Sequence, residues 1–197
     1  IQTFNTKNFR SSVLKFTSQV GELKKIYSRN RKHNMIPVKL SNGKILKLSA
    51  GKHNQVQAAI IQEFASRFAK GGTIIYLGDT AKKDLYLDNT ILAKLNIPIS
   101  QHSKLPDVMI YDEKKKWLFL IEAVTSHGPI SPKRLIELEE LLKKSDVGKI
   151  YVTAFPNFSE FNKHSKAIAW ETEGWIVENP EHLIHFNGDK FIGPRSN

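Results

Sequence analysis

The sequence predicts an α/β fold in which a mixed central sheet is flanked by helices and preceded by a basic N-terminal extension. Three observations carry this expectation. Helix and strand patterns follow one another in the order helix, strand, strand, strand, helix, strand. The strand segments "TIIYL", "VMIY", "WLFLI" and "KIYVTAF" are almost continuously apolar, as strands covered on both faces must be. Residues 1–52 hold 12 Lys/Arg against the single acid Glu22, whereas residues 53–197 hold 18 of each sign, so the whole net charge of +11 is N-terminal.

The 197 residues suit one core, with residues 1–50 read as a basic region belonging to a DNA-binding portion and 51–197 as the main domain. No apolar run approaches the roughly 20 residues that cross a bilayer, which argues against a membrane protein. The absence of cysteine excludes disulfides and thiolate metal sites and suits the cytoplasm. No secretory signal is read at the start, and Ile1 in place of Met points to a longer parent chain or a trimmed one. A basic segment such as "KKIYSRNRKHNMIPVKLSNGKILKL" attracts a phosphate backbone through counterion release, or is simply a solvated arm. On the first reading Arg29, Arg31, Lys32 and Lys39 contact phosphates.

Each element has its own signal. Asn-Gly in "SNGK" places a tight hairpin between VKL and ILKL. From Lys52 to Lys70 the stripe Val56, Ala59, Ile60, Phe64 and Phe68 has helical spacing, stopped by "GG". Glu63 lies three residues after Ile60 and four after Ala59, so a 3.6-residue period puts it on that buried stripe. Thr73–Leu77 reads as a buried strand closing at Gly78 and Asp79, and a short helix follows around Asn89–Leu95. "SPKRLIELEELLKKS" opens with a Ser cap and Pro at the first helical position and ends in lysines. A last strand, "KIYVTAF", precedes a helix near Phe158–Trp170 and short strands at "GWIVE" and "HLIHF", read as an addition at the sheet's edge.

The stretch "LPDVMIYDEKKKWLFLIEAVTSHGP" places two acids, Asp107 and Glu122, in apolar surroundings. A tight turn centred on Lys114 and Lys115 pairs residues whose numbers sum to 229, so Asp107 faces Glu122, Met109 faces Leu120 and Tyr111 faces Leu118. Directly opposed antiparallel residues have Cβ atoms about 4.5 to 5.5 Å apart and share a face. Two bare anions there are tolerable only if one is protonated or a cation lies between them, unless both acids reach solvent at the strand ends. Oxygen ligands alone, with Glu63 or Asp79 as further candidates, suit a hard cation such as Mg²⁺ and chemistry on phosphate. Asp79 could equally cap "AKKDL", and Glu63 could reach out to solvent.

The chain also resembles a known family. "KLSAGKHNQVQAAIIQEFASRFAKGG", "IIYLGDTAKK", the carboxylate stretch through "PISPKR", "YVTAFPNF", "IAWETEGWI" and "HLIHFNGDKFIGPR" are similar to the BsuBI/PstI type II restriction endonucleases, whose catalytic domains are PD-(D/E)XK nucleases. The resemblance implies Mg²⁺-dependent, sequence-specific cleavage of both strands of DNA, with CTGCAG as the first duplex to try. Pro106 and Asp107 match "PD", Glu122 matches the second acid, and Glu63 matches the acid such nucleases carry on the preceding helix. The motif lysine is replaced by Val124. Period-two alternation puts Val124 and Ser126 on the face of Glu122, looking into the site, and Ser126 is a candidate for DNA contact. Lys133 and Arg134, in the first turn of the next helix, are candidates for the missing cation, Arg134 also for DNA contact, and His127 is a candidate base.

Symmetric cleavage of a palindrome calls for a homodimer. No phosphate-cradling loop points to a nucleotide cofactor, and the remaining histidines lack zinc-ligand spacing. Two competing functions share these features. One is a DNA-binding module on a nuclease-like scaffold that lost catalysis with its lysine; the other is a different PD-(D/E)XK enzyme, such as a repair nuclease.

Overall fold

A computed structural model describes residues 9–20, 34–99, 104–125 and 128–187. The chain divides into two compact units, Ile1–Met35 and Ile36–Asn197. Within the first, residues 9–20 form a helix, α1. Arg29, Arg31 and Lys32 lie outside the described residues.

The second unit opens with the expected hairpin. β1 (Ile36–Lys39) and β2 (Ile45–Leu48) pair antiparallel, with Lys39 opposite Ile45. Gly43 at φ 82 adopts the left-handed turn conformation that glycine takes at no steric cost. Val38, Leu40 and Leu48 are buried against the helix that follows. The compact unit therefore begins at Ile36 and not after residue 50, because the hairpin's basic outer face conceals an apolar inner one. Lys39 is exposed on that outer face.

The helix after the hairpin is α2 (Lys52–Ala59), a wide π turn (Ile60–Phe64) and α3 (Ala65–Phe68). The backbone N–H of Ala65 donates to the carbonyl of Ile60, five residues back, so the turn holds more residues than the 3.6 of an α-helix. That shifts the phase of everything beyond Ile60. Phe64 remains buried and packs edge-on against Phe119 and Trp175, with ring centroids 6.0 and 5.5 Å away.

A sheet of seven strands follows: β3 (Thr73–Leu77), β4 (Tyr86–Leu87), β5 (Val108–Asp112), β6 (Trp117–Ala123), β7 (Gly148–Phe155), β8 (Thr172–Ile176) and β9 (Leu183–Phe186). Their spatial order is β4-β3-β5-β6-β7-β8-β9. Neighbours are antiparallel except β6/β7 and β7/β8, which are parallel. Parallel neighbours need a crossover, and α5 (Pro132–Leu141) supplies the one from β6 to β7. Its start is as signalled, since the Ser131 hydroxyl accepts from Arg134 N–H and Pro132 occupies the first turn. Two further α-helices among the described residues are α4 (Asn89–Lys94), capped by Asp88, and α6 (Phe158–His164), capped by Asn157.

The register of the β5–β6 hairpin is the one the arithmetic requires, with Val108 opposite Ile121, Met109 opposite Leu120 and Tyr111 opposite Leu118. One face, with Val108, Ile110, Phe119 and Ile121, packs under α2 and the β1–β2 hairpin. The other, with Met109, Tyr111, Leu118 and Leu120, packs under α4 and α5 through Leu92 and Leu138. No described helix is long and apolar enough to cross a membrane.

Candidate active site

Asp107 immediately precedes β5 and Glu122 is the penultimate residue of β6, so one further rung of the hairpin ladder sets the two acids side by side at the sheet's end. The Asp107 side chain extends the ladder itself, its Oδ2 accepting from the Ala123 N–H at 2.8 Å. The first turns of α2 and α5 reach the same spot. His53 of α2 brings Nε2 to 3.2 Å from Asp107 Oδ1. Arg134 of α5 donates from Nε and Nη2 to Glu122 Oε1 at 2.8 and 2.7 Å. Arg134 also donates to the Leu105 carbonyl at 3.2 Å and to Glu137 at 3.4 Å, so four of its five N–H groups are engaged.

These groups line a cavity of about 600 Å³, together with Thr80, Lys104 and the loop at Gly128 and Pro129. Lys104 Nζ lies 3.4 Å from Glu137 Oε1 with its side chain largely in solvent. The electrostatics are those of two crowded anions. Burial, then the neighbouring Asp107 carboxylate, push the Glu122 carboxyl up to about 7 against the pull of Arg134. The hydrogen bond to Asp107 raises His53 above its ordinary value, against the opposing effect of burial.

Several residues expected at the site stand elsewhere. Glu63 is not on the buried stripe: the π turn carries it toward solvent, where its side chain is 44% exposed and ion-paired with Arg67. Asp79 is bound up as a cap. Its carboxylate accepts from Ser49 N–H and Oγ at 2.8 and 2.7 Å, Asn54 Nδ2 at 2.6 Å, Ala81 N–H at 2.9 Å and Lys82 N–H at 3.1 Å. Burial opposes ionisation of Asp79, but hydrogen bonds from Ser49, Ala81 and Lys82 outweigh it and hold the carboxyl below its usual range. A carboxylate so occupied has little left for a cation. Accordingly, Asp79→Ala is expected to lower stability by about 2 kcal/mol in urea unfolding, the cost of losing bonds to a charged acceptor. Any rise in melting temperature on adding Mg²⁺ should survive that change.

Val124 is fully buried and packs with Phe155, Ile168 and Ile176, so it does not look into the cavity. Lys133 is exposed on the outer side of the first turn of α5 and is absent from the cavity wall, which its neighbour Arg134 lines instead. Consecutive helical residues point about 100° apart, so only one of the two can face the sheet's end. Ser126 and His127 lie outside the described residues.

Sequence reasoning missed His53, Gln57 and Asn54. All three sit in the first two turns of α2, where polar residues read as a solvated start, yet Asn54 and Gln57 are buried. The available signal was the i, i+4 spacing of His53 and Gln57 ahead of the apolar stripe. Among the described residues no group of three His, Asp or Glu side chains is placed so that it could hold a metal ion.

This arrangement is that of a restriction-endonuclease fold. The structure of SdaI restriction endonuclease matches with a TM-score of 0.78 at 34% identity, over 99% of this chain and 61% of that one. Residues 36–189 match the BsuBI/PstI restriction endonuclease domain, and the chain belongs to that family. Among curated proteins, type II restriction enzyme BsuBI of Bacillus subtilis is 45% identical over 194 residues, covering 98% of this chain and 61% of that protein. Type II restriction enzyme AplI of Arthrospira platensis is 28% identical over 199 residues, with the same coverages. The chain thus spans 61% of the length of these relatives.

Proposed function

We propose that this chain is the catalytic portion of a type II restriction endonuclease, hydrolysing phosphodiester bonds in both strands of DNA with Mg²⁺ held between Asp107 and Glu122. The observation that carries the reading is the meeting of these two carboxylates at the cavity floor, with Glu122 pushed up to about 7 by burial and by its neighbour. A divalent cation relieves that repulsion, and Mg²⁺ in particular is held by one or two carboxylates while keeping waters and taking phosphate oxygens. The donor set therefore fits the ion. When bound, it supplies an acidified water and neutralises charge on the scissile phosphate.

The chain's own residues orient that chemistry. Arg134 fixes Glu122 by two hydrogen bonds to one oxygen, leaving Oε2 for other partners. Ala123 N–H and His53 hold the two oxygens of Asp107 from the sheet and from α2. Lys104, long and cationic, stands at the cavity mouth where a phosphate would enter. The basic residues before Lys52 add the sequence-independent attraction of the DNA backbone, Lys39 among them. A palindromic site such as CTGCAG would be cut by a twofold homodimer.

Digestion of a mapped plasmid tests all of this. With Mg²⁺, discrete fragments with ends at one short sequence are expected, and a CTGCAG duplex should be cut while a permuted one is not. Val124 in place of a lysine favours one rival, a DNA-binding module without catalysis. That rival wins if plasmid stays intact with Mg²⁺ or Mn²⁺ over a salt series while a duplex is still retarded on a gel. Nicking or degradation without site preference would point to a repair-type nuclease.

A further inference from the structure

A second cavity, of about 390 Å³, opens at the same end of the sheet as the carboxylates. There β6, β7 and β8 run parallel, and their ladders continue past the strands, Val124 N–H donating to the Ala154 carbonyl and Val177 N–H to the Phe155 carbonyl. Thr125, Asn157 and Val177 thus stand on the ends of three adjacent strands, where open α/β sheets bind ligands. The start of α2 divides the two cavities. His53 faces the carboxylates, whereas Lys52, Gln55 and Val56, spaced i, i+3 and i+4, share the face turned to the second cavity. Asn157 lies one strand beyond Glu122, and strands are about 4.8 Å apart, so the cavities are separated by ~5 to 10 Å. That is roughly two or three base steps of a duplex, at about 3.4 Å each.

The lining suits a flat ligand with polar edges. Val56, Pro156 and Val177 give it apolar walls, and the polar groups between them are few, as in small-ligand pockets generally. The Gln55 amide and the Thr125 hydroxyl have no protein hydrogen-bond partner among the described residues. Asn157 uses Oδ1 to accept from the Glu160 N–H, which leaves its Nδ2 to donate. Glu160 accepts from Lys163 at 2.6 Å on one oxygen and keeps the other. The Lys163 hydrogen bond, against some desolvation, holds the Glu160 carboxyl below its usual range, so it is an anion at neutral pH. A phosphate in this cavity would lie against that carboxylate, whereas a base amino group would donate to it. Carboxylates accept from the amino group of cytosine, and Gln or Asn amides match the adenine edge, donating to N7 and accepting from N6.

We propose that this cavity reads one base of the DNA close to the bond that is cut. The base carries an amino group, as adenine and cytosine do. That group donates to the free Glu160 oxygen, and the Gln55 and Asn157 amides meet the polar atom next to it. This rests on the nuclease reading and deepens it by naming residues that set sequence preference.

The test is single-turnover cleavage, with Mg²⁺, of duplexes that differ from the preferred one by a single base pair. Gln55→Ala and Glu160→Ala are expected to lower discrimination by about 10- to 100-fold at one position within about three nucleotides of the cut, and to leave it intact elsewhere. Purine in place of adenine, or 2-pyrimidinone in place of cytosine, removes only the amino group; at that position it should slow the unaltered chain and leave Glu160→Ala unaffected. Urea midpoints of both variants should stay near that of the unaltered chain, because Gln55 is exposed and Glu160 pairs with an exposed lysine. Slowing by one factor on every duplex would assign the cavity to the phosphate backbone, and no change on any would leave it without a role; either result overturns the proposal. Gel retardation of the same duplexes without metal separates it from the nuclease reading. If the chain cuts nothing but its retention favours one base, and Glu160→Ala abolishes that preference, the nuclease reading fails and the base-reading cavity stands. If neither cutting nor retention depends on Gln55 and Glu160, the cavity has no such task, whatever becomes of the carboxylate pair.

Discussion

Asp107→Asn and Glu122→Gln are each expected to slow cleavage of supercoiled plasmid by about 10³-fold or more, the consequence of losing the several kcal/mol that a correctly held cation contributes to the transition state. Both changes are nearly isosteric. In the first, the amide oxygen of the new side chain would accept from Ala123 N–H while its NH2 would donate to Nε2 of a neutral His53; in the second, the amide oxygen would be a neutral acceptor for Arg134. The hydrogen-bond framework is thus kept while the charge is lost. Urea midpoints of the metal-free variants should therefore stay near that of the unaltered chain. A second readout separates loss of cation from loss of shape. At 100 times its dissociation constant, a ligand bound only by the folded chain adds about 2.7 kcal/mol of stability, and this Mg²⁺-dependent gain should vanish in both variants. Cleavage that persists in both variants would remove these acids from the chemistry, whatever the fold.

Why these two acids could be found from sequence, and His53 could not, has a physical basis. A two-residue alternation over a short hairpin leaves no freedom: once Lys114 and Lys115 define the turn, Asp107 must meet Glu122, and the observed pairing of Val108 with Ile121 places them so. The same rigidity made the two apolar faces, and hence helices on both sides, readable in advance. Helical phase is less forgiving. A single wide turn at Ile60–Phe64 was enough to move Glu63 from the core to the surface, and nothing in "AAIIQEFAS" announces it. His53 was hidden by the opposite effect, since polar residues in a first turn normally face water, and only the tertiary approach of Asp107 brings it to the cavity. Asp79 was visible as either ligand or cap. Its five hydrogen bonds to Ser49, Asn54, Ala81 and Lys82 come from residues up to 30 positions away, a closure that local pattern does not encode.

Arg134→Ala should be the most costly single change to stability at the site, by about 3 kcal/mol at pH 8, within the range for breaking a buried ion pair from one side. The Arg134 and Glu122 side chains are only 18% and 17% exposed, and the guanidinium is what permits an ionised Glu122 to stand beside Asp107. The loss must depend on pH, with a sign that follows from the raised Glu122 value. A carboxyl whose folded pKa lies above its unfolded one is favoured by folding in its neutral form, so its contribution is most stabilising below about 4.5 and declines as pH rises through about 7. Without Arg134 the folded value rises further and that decline extends to higher pH. At pH 5, where Glu122 is already protonated in the fold, removing the guanidinium costs little beyond its bonds to Leu105 and Glu137. Urea unfolding of the metal-free chain at pH 5 and pH 8 measures the difference. Arg134→Lys should not restore stability at pH 8, because a single ammonium cannot serve Glu122, Glu137 and the Leu105 carbonyl together. An equal loss at both pH values would mean that Arg134 acts through packing alone and that the charge of Glu122 is tolerated by some other group.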